Sequence, residues 1–86
     1  MNQVVPVAGL MPAALDLAHA ISAAAPLSVA AALEIMRETE GTAVAEGYRI
    51  MRGDGLPAYR RMLSSQDAQE GVRAFAERRP PRWAGR

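Results

Sequence analysis

Four arginines lie within the last nine residues of this 86-residue chain and form its densest cluster of side chains that could bind a ligand. They are Arg78, Arg79, Arg82 and Arg86. A guanidinium group binds phosphate through paired hydrogen bonds, so a phosphate-bearing ligand is one interpretation of the cluster. A solvated tail that improves solubility is the other, because most charge runs have no further role. The net charge is only +1, and we therefore expect no nucleic-acid partner.

The single histidine and the lack of cysteine restrict the other chemistry that the chain can do. His19 falls on the polar side of a predicted helix, and the sequence identifies no partner for it as a general base, so we interpret it as a surface residue. One imidazole without sulfur ligands cannot complete a tetrahedral zinc shell, and we expect no metal site. Without cysteines there is no disulfide framework, which is compatible with a reducing, cytoplasmic compartment.

Two sets of acidic residues are candidates for acid–base or ion-binding chemistry. Glu34, Glu38 and Glu40 fall largely outside the apolar stripe of their helix, which predicts a solvated face. Asp54 lies between two glycines, but its segment has neither the Lys and Ser/Thr of a phosphate loop nor the spaced oxygen ligands of a calcium loop. We therefore predict no catalytic residue among these acids.

The elements that would position these residues are predicted to be almost all helical. Apolar residues recur at spacings of three and four over residues 10–25, which predicts a first amphipathic helix. Pro26 suits the first position of a second helix, whose apolar stripe includes Leu33, and Gly41 is placed to end it. Thr42 is a candidate N-cap for a third helix. Pro57 begins a further segment after the interruption GDGLP.

The last helix has start and stop signals at both ends. Ser65 is a candidate N-cap, acidic Asp67 and Glu70 suit the first turns, and Pro80 follows the last turn. We interpret Trp83 as an anchor that packs the tail. The prediction is an all-α chain of three to four amphipathic helices in a single region. Its parts are an extended lead-in over 1–7, helices over 8–64, a C-terminal helix over 65–79 and a Pro/Arg tail over 80–86.

The final run, SSQDAQEGVRAFAERRPPRWAGR, resembles the C-terminal signature of the enoyl-CoA hydratase/isomerase, or crotonase, family. The matching positions are Ser65, Asp67, Ala68, Glu70, Gly71, Ala74, Phe75, Glu77, Arg79, Pro81, Gly85 and Arg86. Upstream, NQVVP resembles the strand exit of that family, and AHAISAAAPLSVAAALEIMRE resembles one of its helical segments. Essentially the whole chain is covered by the resemblance, with Gln66 replacing the family's usual Glu.

The resemblance implies the C-terminal helical, or trimerisation, region of the crotonase fold. Full members place a spiral domain of strand-strand-helix turns before this region, and that domain carries the oxyanion-binding amides and the acidic residues. We therefore expect the chain by itself to be non-catalytic and to act in oligomer contacts, while the complete enzyme hydrates or isomerises an acyl-CoA thioester. The alternative is a stand-alone helical module that associates with itself or docks on a full-length crotonase relative.

The resemblance also implies a coenzyme A contact at the end of the last helix. In some hydratases a Phe and a Lys of this segment reach the adenine and the 3′-phosphate across a subunit interface, and the matching positions here are Phe75 and Arg78. Arginine keeps the charge of the lysine that it replaces. A core role for Phe75 and a helix-dipole role for Arg78 stay open as alternatives. Coenzyme A enters only as part of the substrate, and no separate cofactor is expected.

The sequence also predicts a soluble protein with no membrane partner. No apolar run approaches the roughly 18 residues that a membrane span needs. No signal peptide is recognisable after Met1. We therefore expect a cytoplasmic location.

Overall fold

A computed structural model describes residues 3–86, which form five α-helices after a short 3-10 turn. The turn is Val7–Gly9, and the helices are α1 (Leu10–Ser22), α2 (Pro26–Thr39), α3 (Val44–Arg52), α4 (Pro57–Leu63) and α5 (Gln66–Ala76). No strand occurs among these residues, and the predicted all-α class is confirmed. The helices number five because the GDGLP interruption separates α3 from α4. Residues 1 and 2 of the predicted lead-in lie outside the described residues, and residues 3–6 have no regular structure.

Local sequence signals account for most helix ends. Pro26 and Pro57 begin α2 and α4, where a missing N–H costs no helical hydrogen bond. Gly41 follows α2 with a φ of +74°, a conformation that glycine adopts readily. The N-cap predicted at Thr42 is wrong, because α3 is preceded by Ala43 without a side-chain cap. The Thr42 hydroxyl instead donates to the Thr39 carbonyl at 2.8 Å and closes the end of α2.

The main packing joins α2 to α4, with Leu56 and Ala31 as its most buried apolar side chains. The solvated role predicted for Glu34 is wrong. Its carboxylate is partly buried and accepts hydrogen bonds from the backbone amides of Ala58 at 3.1 Å and Tyr59 at 2.9 Å. A carboxylate from α2 therefore caps the positive end of α4. The predicted stripe of α2 is largely exposed, since Leu33 is 46% exposed whereas Ala31 is 1% exposed.

The helices form an open arrangement. The radius of gyration is 16.1 Å, whereas a compact domain of this length has about 12 Å. Many large apolar side chains face solvent on α1, α2, α3 and α5. They include Leu10, Met11, Leu15, Leu17, Ile21, Met36, Val44, Tyr48, Val72 and Phe75. Apolar surface on this scale is unusual for a soluble domain without a partner.

The apolar character of the first two helices does not produce a membrane span in a single helix. Within residues 3–86 no helix is both long and apolar enough to cross a bilayer. The segments Val7–Ser22 and Pro26–Thr39 meet the length and composition of a span only when taken together, and they meet at a bend of 105°.

Candidate functional site at the end of helix α5

The predicted coenzyme A contact Phe75 lies on helix α5 and Arg78 follows its C-terminal end, and the start of this helix is fixed by local chemistry. The Ser65 hydroxyl accepts a hydrogen bond from the Ala68 amide at 3.0 Å and donates to the Met62 carbonyl at 2.7 Å. The N-cap predicted at Ser65 is confirmed. This cap satisfies one of the free amides at the helix start and ties α5 to the end of α4.

The other end of α5 closes with a left-handed residue. The amide of Arg78 donates to the Phe75 carbonyl at 3.2 Å, and the amide of Arg79 donates to the Ala74 carbonyl at 3.0 Å. This pair of bonds is the Schellman motif, whose left-handed position usually holds glycine. Here Arg78 occupies it with a φ of +54°. The chain turns sharply at Arg78 and runs back along α5.

Phe75 and Arg78 lie together at this end, and both are exposed. Phe75 is 88% exposed, so a core role within residues 3–86 does not apply to it. No hydrogen bond or ion pair engages the Arg78 side chain anywhere in the described chain. The structure therefore leaves one aromatic ring and one guanidinium group exposed at this end of α5. Their contact with coenzyme A stays a prediction.

The returning tail is held on α5 by Glu70. The Glu70 carboxylate pairs with the Arg79 guanidinium through Nη1–Oε1 and Nη2–Oε2 distances of 2.6 and 3.1 Å. It also accepts from the Arg82 amide at 2.9 Å. These hydrogen bonds, from Arg79 first and Arg82 second, lower the pKa of Glu70 to about 2. The bonds from Glu70 and then Glu77 raise the pKa of Arg79 above its ordinary value.

Asp67 holds the last residues of the tail. Its side chain is buried, and its two oxygens accept from the amides of Ala84 at 2.7 Å and Gly85 at 2.8 Å. The Asp67 amide in turn donates to the Arg86 carbonyl at 3.1 Å. The carboxylate predicted to complement the helix dipole therefore also binds two backbone amides far along the chain.

Trp83 links the tail to the first half of the chain. Its indole Nε1 donates to the Ala23 carbonyl in the turn between α1 and α2 at 2.9 Å. Its ring lies over Gly71, where an added methyl group would be 3.5 Å from Cη2. The interpretation of Trp83 as an anchor for the tail agrees with these contacts.

The groove beside α5 is lined by the carboxylates that hold the tail. It has a volume of about 290 Å³ and is lined by residues that include Asp67, Glu70, Arg73 and Arg82. Both carboxylates accept hydrogen bonds from the tail, Glu70 from the Arg82 amide and Asp67 from the amides of Ala84 and Gly85. Within the part of the chain that the structure describes, no three His, Asp or Glu side chains converge as metal ligands.

The other sequence candidates lie apart from α5. His19 is exposed on α1, as predicted for a surface residue. Asp54 is exposed and pairs with Arg60. Sequence reasoning missed the anchoring roles of Asp67, Glu70 and Glu34, because their partners are 9 to 25 residues away. The only signal for the first two was the placement of two acids one turn apart ahead of an arginine-rich tail.

Comparison with known proteins identifies the family. No protein-family model matches the chain. Carnitinyl-CoA dehydratase from Proteus mirabilis is 49% identical over 85 residues, which are 99% of this chain and 33% of that protein. The Citrobacter koseri protein of the same name is 46% identical over 86 residues, or 100% of this chain and 33% of that protein. Over its whole length the chain is homologous to part of proteins of the enoyl-CoA hydratase/isomerase, or crotonase, family.

Solved crotonase structures agree with the fold. An enoyl-CoA hydratase from Mycobacterium tuberculosis aligns with a TM-score of 0.81 at 34% identity, covering 100% of this chain and 32% of that one. An enoyl-CoA hydratase/isomerase from Mycobacterium paratuberculosis aligns with a TM-score of 0.84 at 27% identity, with the same coverage. The described helices match the C-terminal helical region of the crotonase fold. The chain spans about a third of the length of the curated relatives it matches.

Proposed function

We propose that this chain is the helical assembly region of a crotonase that acts on an acyl-CoA thioester, and that the region by itself is not catalytic. The observation that carries the proposal is that the whole chain matches one third of the length of proteins named carnitinyl-CoA dehydratase. Among acyl-CoA substrates, that name favours removal of water from a carnitinyl-CoA thioester. Hydration or double-bond isomerisation of other acyl-CoA thioesters is the broader class. A cytoplasmic location is compatible with the lack of cysteine.

The exposed apolar side chains support the assembly role. Leu17 and Ile21 on α1 are 55% and 51% exposed, and Tyr48 on α3 is 58% exposed. Covering such surface is favourable by about 25 cal/mol for each Å² removed from water. We infer that the remainder of a crotonase protomer, or neighbouring protomers in trimer-type contacts, covers these faces. The second candidate is a stand-alone module that uses the same faces to dock on a full-length crotonase.

A chimera tests the catalytic part of this proposal. The matching third of the Proteus mirabilis relative would be replaced by residues 1–86, and dehydration of carnitinyl-CoA would be measured for the chimera and for the 86-residue chain. We expect turnover by the chimera and none by the chain. Turnover by the 86-residue chain would show that the region is itself catalytic. An inactive but folded chimera would contradict the assignment to this enzyme.

Sedimentation of the 86-residue chain separates the assembly roles. Self-association of the chain is expected under both candidates. Binding to an intact relative that already has its own helical region would favour the docking module. A strictly monomeric chain that binds no relative would contradict both.

The exposed pair at the end of α5 supports a contact with coenzyme A. Phe75 offers a ring to the adenine, and Arg78 offers a guanidinium to the 3′-phosphate. In the chimera, Arg78→Glu is expected to raise the KM for the CoA thioester by about tenfold, as expected for one charge-assisted hydrogen bond. The dephospho-CoA thioester should be affected less. Arg52→Glu on α3 is the matched control, and equal responses to both thioesters would reject the phosphate contact.

A further inference from the structure

The tail strap, which we define as residues 79–86, touches two separate parts of the molecule. On α5 it is held by Glu70 through Arg79 and the Arg82 amide, and by Asp67 through the Ala84 and Gly85 amides. At the corner between α1 and α2 it is held by the Trp83 indole, which donates to the Ala23 carbonyl at 2.9 Å. Gly85 also approaches the side chain of Pro26, the first residue of α2, since an added Cβ would lie 3.9 Å from its Cγ.

Without the strap, α5 would have one principal attachment. Its helix-to-helix packing is mainly against α4, which joins it through the short turn at Ser64 and Ser65. Helix α4 in turn packs on α2. A helix attached at one end through a turn can rotate about that turn, whereas a second attachment at a distance removes this freedom.

We infer that the tail strap is a conformational brace that fixes the orientation of α5 relative to α2, with Asp67 and Glu70 as its anchors on α5 and Trp83 as its anchor on the α1–α2 corner. The brace depends mainly on polar contacts, in which two carboxylates bind backbone amides and one guanidinium group. The strap begins one residue after Arg78, so it also fixes how Phe75 and Arg78 are presented. That last consequence rests on the proposed function, whereas the brace does not.

Distance measurement between spin labels tests the brace directly. The chain has no cysteine, so labels attach only at introduced positions. Met36→Cys on α2 and Val72→Cys on α5 place labels at side chains that are 67% and 73% exposed. In the labelled 86-residue chain we expect one narrow distance distribution. With Asp67→Ala the distribution should widen about twofold while the far-UV circular dichroism of the helices is kept.

Matched variants make the outcome specific. Asp16→Ala removes an exposed carboxylate from α1 and is expected to leave the width unchanged. Trp83→Ala changes no residue of α5, although it removes the ring that lies over Gly71, and it should widen the distribution as Asp67→Ala does. It therefore decides the question if Asp67→Ala loses helicity. The inference is overturned by a distribution that is already broad in the labelled parent chain. It is also overturned by a width that Trp83→Ala leaves unchanged. No coenzyme A is present, so failure of the proposed function cannot produce either result.

Discussion

The two ends of the molecule are stabilised in different ways. At the C-terminal end, α5 and the tail strap bind each other through carboxylates, backbone amides and the Trp83 indole. At the N-terminal end, α1 has no buried residue, and its side chains Leu15 and Leu17 are half exposed. One end contains its own hydrogen-bond partners within residues 3–86. The other end presents apolar surface for which those residues provide no cover.

The difference is between hydrogen bonds that the described residues form among themselves and apolar contacts that need a neighbouring surface. Directional hydrogen bonds such as those of Asp67 position a backbone without help from another domain. Apolar burial stabilises a helix only in proportion to the area that a neighbour covers. We therefore expect substitutions at the C-terminal end to change the free energy of unfolding of the isolated chain. Substitutions on α1 should instead change association.

The largest change in the free energy of unfolding is expected at the packing of α4 on α2. Leu56 is fully buried at the start of α4, the helix that packs on α2. Leu56→Ala should lower the free energy of unfolding by about 2 to 5 kcal/mol, because it leaves a cavity. Urea denaturation followed by far-UV circular dichroism measures this. Leu63→Ala, at a position 58% exposed, is the control, and an equal loss there would contradict the assignment of the core.

Acid should weaken the hold of Glu70 on the tail strap. The pKa of Glu70 is lowered to about 2 by hydrogen bonds from Arg79 and the Arg82 amide. Its contribution to stability is therefore complete above the ordinary carboxyl pKa of about 4.3 and is lost as the pH falls toward 2. Trp83 is the only tryptophan, so its fluorescence reports the strap during an acid titration. Glu70→Gln should lack the step near pH 2, and identical curves for both chains would refute this linkage.

A smaller loss of stability is expected when the indole hydrogen bond is removed. Trp83→Phe keeps a ring beside Gly71 and removes the bond to the Ala23 carbonyl, which should cost about 1 kcal/mol. Hydrogen exchange at the Ala84 and Gly85 amides should then become roughly fivefold faster. Tyr48→Phe on α3 is the control, because its hydroxyl has no hydrogen-bond partner within residues 3–86. Unchanged hydrogen exchange in Trp83→Phe would show that the indole bond does not help to hold the strap.

A stabilising substitution is expected at Arg78. Its φ of +54° is a conformation that glycine adopts without the steric cost that other residues have. Arg78→Gly should raise the free energy of unfolding by about 0.5 to 1 kcal/mol, which thermal unfolding detects as a higher midpoint. Arg73→Gly, inside α5, should lower it by about 1 kcal/mol. Two changes of the same sign would contradict the helix end described here.

The smallest change in stability is expected on α1. Leu17 is 55% exposed, so Leu17→Ser should alter the free energy of unfolding of the isolated chain by about 0.5 kcal/mol or less. The same substitution should weaken self-association of the chain in light scattering. Leu17→Met, which keeps the apolar surface, should retain it. A large loss of stability without loss of association would place Leu17 in a core instead of a contact face.

The sequence predicts features whose cause is local. Pro26 and Pro57 start helices and Ser65 caps one, because each depends on residues within one turn. The roles of Glu34 and Asp67 were not predictable in the same way. Each carboxylate binds backbone amides at least 17 residues away, and no periodicity encodes that pairing. The family resemblance identified the fold class, but it did not show that several of its signature residues hold the tail.

The contact of Glu34 with α4 also implies an order of folding. Helix α4 has only seven residues and no side-chain cap of its own, and isolated helices of fewer than about 12 residues are marginal in water. Its first amides are bound by a carboxylate that precedes them by 24 residues in the chain. During synthesis α2 leaves the ribosome first, so α4 can use it as a template as soon as it emerges. A peptide of residues 53–64 alone should therefore be a random coil.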